Sequence, residues 1–282
     1  MITGVSELTD AQHTTLSKLG HAMLSRGPAV ILVNNLVTST VRREAATNVL
    51  NGLGVPYEFI EAVTEHEADP RMAALMDGYM SKKAEIPLID RLRANKQSRA
   101  RRTACSMSHF KAWARARVLL HENPELAAVY VLEDDIAIID DPEAHLLHLR
   151  AVEQFYQVPG ALSLHMGVSF WPDDVFKNKV LNYTVHSDAL LKLEYAYGSF
   201  AVMYTRAGID YMIDVVQREI EEHVAEGLAI QPQDVVIARH MSRVDGMFAA
   251  NPSYFGAYPT YSTVCGQHMD YTGQVLVGHK HE

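Results

Sequence analysis

An apolar run over residues 127–132 passes without a break into three acids, Glu133, Asp134 and Asp135. Its β-branched and aromatic side chains suit a pleated, buried surface, so the run reads as an interior strand. Three carboxylates closing such a strand are costly unless a cation or hydrogen-bond donors face them. A divalent ion that prefers oxygen ligands, Mg²⁺ or Mn²⁺, is the simplest compensation, with Asp134 and Asp135 as candidate ligands. The plain alternative is a solvated acidic turn after an ordinary strand.

Upstream, residues 29–33 form a second strand candidate. A polar turn follows, then Val41, Ala45, Val49, Leu50 and Leu53 at helical spacing, ended by Gly54. Residues 57–60 supply another strand. Strand, helix and strand at these lengths make a parallel β-α-β unit, whose ligand edge lies at the carboxyl ends of its strands. Asn34, Asn35, Arg42 and Arg43 fall near that edge, where arginine can meet a phosphate or simply cover a solvated helix face. The expected class is α/β, with a mostly parallel sheet flanked by helices. Residues 1–28 read as a helical extension capped at Thr9-Asp10 and stopped by Gly27-Pro28, and residues 29–282 as the main domain.

Between the two motifs lies a basic stretch, Arg91, Arg93, Lys96, Arg99, Arg101 and Arg102, with no acid among them. It reads as a solvated loop or as a docking patch for an anionic substrate or membrane surface. Ser106 or Ser108 is the expected cap of the next helix, which carries Phe110, Trp113, Ala114 and Val118 on one side and His109 in its first turn. Further on, Gly198 interrupts strand-like residues 195–204, a pattern that marks close approach of another group to the backbone. Asp234 follows Gln231-Pro232-Gln233 and precedes an apolar helix start, so it is at least a helix cap.

Composition narrows the function classes. With 282 residues, 48% of them hydrophobic, the chain has ample material for a core. A formal charge of −9 disfavours general nucleic-acid binding, and the basic stretch lacks the interleaved aromatics of a single-strand platform. Two cysteines, Cys105 and Cys265, are too few for a disulfide framework and fit a reducing compartment. No apolar run approaches the ~20 residues of a membrane span, and the first residues lack a secretion signal. The expectation is a cytoplasmic protein, peripheral at most to the inner face of a membrane through the 91–102 patch.

Several segments, taken in order, resemble glycosyltransferase family 25. They are Asn35-Leu36 with Arg42-Arg43 downstream, Cys105-Ser106-Met107-Ser108-His109 with Trp113, and Leu132-Glu133-Asp134-Asp135. Tyr197-Gly198-Ser199, Thr205-Arg206-Ala207-Gly208, Asp234 and Asn251-Pro252 continue the series. The resemblance covers roughly residues 29–265. It implies a GT-A-like fold, a nucleotide-sugar donor, usually UDP-galactose, and transfer with inversion to a hydroxyl of a glycan or glycolipid acceptor. Asn35, Arg43, Ser108, His109, Glu133 and Gly198 become candidate donor-binding residues, and Asp134 and Asp135 candidate Mn²⁺ or Mg²⁺ ligands. Asp234 becomes the candidate base, with Asp188 and Glu194 behind it. Two departures stand out: residues 98–104 are basic where the family commonly carries an acidic, Gly-containing segment, and Val33-Asn34-Asn35-Leu36 replaces a more typical Ile-Asn-Leu. Rival readings are a sugar nucleotidyltransferase and a non-catalytic binder of sugar nucleotides or glycans. The lack of a Walker-type phosphate loop counts against the first.

Overall fold

Strand β1 (Ala29–Asn35) is buried along nearly its whole length and runs parallel to a neighbour on each side, β2 (Tyr57–Glu61) and β3 (Ala128–Glu133). The register sets Asn34 beside both Ile60 and Glu133, so the carboxyl ends of three strands finish at one edge. The computed structural model describes residues 8–75, 96–138, 143–167, 169–170, 183–193, 201–228, 236–237, 240–241, 243–251, 255–257, 260–262, 267–269 and 275–276.

Beyond β3 the strands are short. After β4 (Ile136–Ile138) come β5 (Ser163–His165), β6 (Ser169–Phe170), β7 (Tyr183–Val185), β8 (Leu190–Leu193), β9 (Ala201–Tyr204) and β10 (Met247–Ala250). Among the described residues the main sheet has the order β2-β1-β3-β9-β5-β10-β8-β7. Strand β9 lies antiparallel between β3 and β5, and β10 is parallel to β5. Strands β8 and β7 close the far side antiparallel. The α/β class, with a sheet flanked by helices, is as expected; the sheet is parallel across β2-β1-β3 and mixed beyond β3. Periodicity identifies a strand without giving its direction. Two-stranded ribbons pair β4 with β11 (Phe255–Ala257), β12 (Thr260–Ser262) with β13 (Gln267–Met269), and β14 (Val275–Leu276) with β6.

Helices cover both faces, and alternation along the strands sorts the side chains between them. Ile31, Val33, Tyr130 and Leu132 point to one face, where they meet α1 (Asp10–Met23), α2 (Thr40–Leu53) and, beyond α3 (Lys96–Glu122), α4 (Ala144–Gln157). Leu32, Val129 and Val131 point to the other face, against α3 and a helical run of α5 (Arg206–Tyr211), a π turn over Met212–Gln217 and α6 (Arg218–Glu226). Gly227, in the left-handed region at φ 70°, ends that run.

Two local expectations change. Helix α1 begins at its predicted cap, Thr9, with the reciprocal Gln12 contacts of a capping box. It is no detached extension, however: Leu16, Leu19 and Met23 belong to the first core. Helix α3 starts about ten residues before its predicted caps, absorbing Lys96 to Arg102. Ser106 and Ser108 therefore sit inside the helix, where their hydroxyls donate to the carbonyls of Arg102 and Ala104.

Candidate active site

The three parallel strand ends open into a cleft of about 360 Å³. Its floor is Asn34 from β1 with Glu133 and Asp134 at the end of β3. One wall is Leu36, Thr38 and Arg42, where β1 turns into the first turn of α2. The opposite rim is residues 62–66 after β2, together with Arg101, Ala104, Cys105, Ser108 and His109 on one side of α3. Crevices at the carboxyl edge of an α/β sheet are where such folds bind ligands.

The acidic turn is buried and cross-linked. Asp134 and Asp135 are only 4% and 6% exposed. The Nδ2 of Asn35 donates to Asp134 Oδ2 at 2.6 Å. Arg42 Nη2 reaches both acids, contacting Asp134 Oδ1 and standing 3.0 Å from Asp135 Oδ2. Glu133 turns the other way and lies 3.5 Å from His109 Nε2. Ser108 Oγ accepts from the Val63 amide at 2.9 Å, pinning α3 to the 62–66 rim. Arg101 Nε does the same from higher on α3, meeting Glu65 Oε2 at 2.5 Å.

Burial dominates the protonation of these acids. It pushes the Asp135 carboxyl up to about 7, reinforced by Glu133 and only partly opposed by Arg42. Asp134 is raised for the same reason, against the pull of Arg42 and Asn35. Burial also works to raise Glu133, but His109 and Arg42 outweigh it and hold that carboxyl below its ordinary range. Among the described residues several buried polar atoms here have no partner: Asn34 Oδ1 and Nδ2, Asn35 Oδ1, Asp135 Oδ1 and His109 Nδ1. Such groups cost about 1–3 kcal/mol each when left dry, so the cleft is built to receive polar atoms. An orphaned carboxylate oxygen beside two further acids fits a hard divalent cation.

The structure brings Asn35, Ser108, His109, Glu133, Asp134 and Asp135 together. Arg43 is corrected: its guanidinium stacks 4.2 Å from the Phe59 ring centroid, outside the cleft lining, and Arg42 takes the inward position. Phase explains the exchange. The buried stripe of α2 is Ala46, Leu50 and Leu53, and one turn before Ala46 comes Arg42. Val41, which the periodicity had placed inward, is 50% exposed.

Asp188 is corrected too. It lies between β7 and β8, four to five strands from β3 and so roughly 19–24 Å across the sheet at ~4.8 Å per strand. There it is exposed and engaged by Arg150 and by Gln154 Nε2 at 2.8 Å. The contact from Gln154 and the Arg150 charge hold its pKa below the usual carboxylate range, the opposite of what a base needs. Gly198, Asp234 and Glu194 lie outside the described residues, as do Arg91 and Arg93. Glu65 is a cleft residue that the sequence did not single out; Cys105 and Arg101, quoted there for the motif and the basic stretch, also line the cleft. For Arg101 a signal was present, in the one basic stretch of an acidic chain.

Over residues 29–198 the sequence matches the model of glycosyltransferase family 25, described as an LPS biosynthesis protein. The chain belongs to that family. Two curated relatives carry the name lacto-N-neotetraose biosynthesis glycosyltransferase LgtE, from Neisseria meningitidis serogroup B (strain ATCC BAA-335 / MC58) and Neisseria gonorrhoeae. Each is 25% identical over 182 residues, 64% of this chain and 59% of the relative. A solved structure of mouse xyloside xylosyltransferase 1, apo form, aligns over 85% of this chain and 80% of its own. At 12% identity and a TM-score of 0.33, it carries no argument about this one. Every element of the cleft described above falls inside the family 25 match. Among the described residues no helix is long and apolar enough to cross a membrane.

Proposed function

We propose that this family 25 glycosyltransferase moves a hexose, galactose by family precedent, from a UDP-sugar to a hydroxyl of a glycan or glycolipid, with inversion. Mn²⁺ or Mg²⁺ serves the reaction, held by Asp134 and Asp135 with Glu133 beside them. One observation carries the reading: the family's acidic motif closes β3 at the floor of a cleft, with an arginine already aimed at it. When bound, such an ion neutralises charge on the leaving diphosphate.

The chain's own residues divide the remaining work. Asn35 fixes the Asp134 carboxylate, and Arg42 offers a fixed positive charge where the diphosphate would sit. His109 and Ser108 were expected to meet the donor from a helix N-terminus. Their mid-helix position removes the dipole from that account, and Ser108 instead holds the rim in place. Inversion requires a carboxylate opposite the leaving group to take the acceptor hydroxyl proton as its oxygen bonds to the anomeric carbon and the bond to the diphosphate breaks. Asp234 is our choice for that base. Contact of the 91–102 stretch with an anionic membrane face would bring a lipid-linked acceptor to the cleft.

The test begins with labelled UDP-sugars, Mn²⁺ and no acceptor, since a transferase of this kind releases free sugar slowly. Asp135→Asn should abolish metal-dependent release while circular dichroism stays unchanged; undiminished turnover removes the metal assignment. Asp234→Asn should lower transfer at least about 100-fold, the smallest usual contribution of a general base, while donor binding survives. Loss of donor binding in that variant rejects Asp234 as the base.

A further inference from the structure

We propose a second cation site in the cleft wall, formed by Cys105, His109 and Glu133 and suited to a borderline ion such as Zn²⁺. One ligand atom from each residue lies within 4.8 Å of the others: a thiol sulfur, a ring nitrogen and a carboxylate oxygen. Cys105 and His109 are one turn apart on α3 and so project from the same side of the helix. Glu133 reaches them from the last position of β3. The 3.5 Å between His109 Nε2 and Glu133 Oε1 is long for a hydrogen bond. It matches two ligands on one tetrahedral ion, which bonds of 2.0–2.1 Å place about 3.4 Å apart.

His109 is 1% exposed and its Nδ1 has no partner among the described residues. All three residues line the cleft, so the fourth ligand position faces open space, as in zinc sites that keep a place for water or a ligand. The site is chemically separate from the acidic turn. Asp134 and Asp135 present oxygens alone and face Arg42, whereas sulfur and imidazole favour zinc over Mg²⁺ or Mn²⁺. Glu133 sits between the two, so an ion here draws its charge away from the turn. The site needs no nucleotide sugar and stands or falls apart from the proposed transfer.

Cobalt(II) titrated into the full chain, with a non-thiol reductant, tests it directly. The expected result is a thiolate-to-cobalt charge-transfer band from a single site, displaced by Zn²⁺, separate from any cobalt that the acidic turn takes up without such a band. Cys105→Ser should lose the band and weaken binding more than about tenfold, as removal of a direct ligand exceeds the effect of an outer-shell partner. Cys265→Ser and Asp135→Asn should keep the band. No thiolate band, a band that survives in Cys105→Ser, or one that disappears in Asp135→Asn overturns the proposal. Circular dichroism of each variant separates loss of the site from loss of the fold, and His109→Ala gives a second route to the same ligand set if Cys105→Ser unfolds.

Discussion

Arg42 carries the charge balance of the acidic turn. A cation was demanded by the sequence, because three acids follow an apolar strand, but which cation was not legible there. A side chain far away in the chain supplies it, and only the phase of α2 decides between Arg42 and Arg43. Removing the guanidinium leaves two buried carboxylates facing each other. Breaking a buried pair in this way typically costs about 3–5 kcal/mol. Part of that cost is avoidable, because Asp135, already pushed up to about 7, can take a proton. Arg42→Ala should therefore lose more stability at pH 8 than at pH 6, measured by urea unfolding in chelator. Mn²⁺ should restore more of the loss in this variant than it adds to the wild type. Equal losses at both pH values, with no response to Mn²⁺, mean that the carboxylates do not need a cation.

At the scale of elements, β1 to β3 and the helices that flank β1 were readable, as was α3 from Ser106 onward; its first ten residues were not. Its buried side holds Thr103, Ala104, Ser106, Ser108, His109, Ala112, Trp113, Ala116 and Leu120. Small and polar residues dominate the first half of that series, so no apolar stripe announced the helix before Phe110. Ala104, Ser108 and His109 among them line the cleft, which is why the pattern fades where function begins. The role of α1 was hidden differently, in a glycine whose effect depends on a partner distant in sequence. A Cβ on Gly20 would stand 1.6 Å from the Leu53 carbonyl oxygen, so α1 and α2 touch backbone to backbone. Alanine there improves helix propensity by up to about 1 kcal/mol, yet overpacking costs roughly 1–3 kcal/mol or more. Gly20→Ala should be net destabilising in urea unfolding. Gly52→Ala is the control: its Cβ meets the end of the Leu16 side chain, which can rotate away, so its loss should be smaller. A neutral or stabilising Gly20→Ala is incompatible with this packing.

Across the whole molecule, two buried histidines tie stability to pH. His148 is fully buried, with Tyr130 Oη 3.2 Å from its Nε2, and burial lowers it to about 3. His165, at the end of β5, finds no partner for either ring nitrogen among the described residues and is lowered to about 4. Both stay neutral in the fold while the unfolded chain takes up protons below the ordinary value of 6.5. Their contribution is thus complete above pH 6.5 and falls as pH drops through 6 and 5, by about 1.4 kcal/mol per pH unit for each histidine. Asp135 works in the opposite direction. Its folded value near 7 against 3.8 unfolded means the native state binds the extra proton over that window, which stabilises as pH falls. It offsets part of the histidine effect, as does Asp134, which burial also raises. Replacing His165 with leucine removes one of the two destabilising protonations, so the loss of stability between pH 6 and pH 4.5 should be shallower by roughly 1.4 kcal/mol per unit than in the wild type. Urea unfolding at half-unit steps, in chelator and low salt, reads this directly. An unchanged slope in His165→Leu means that its imidazole is already charged in the native state, and that the end of β5 holds an acceptor for it.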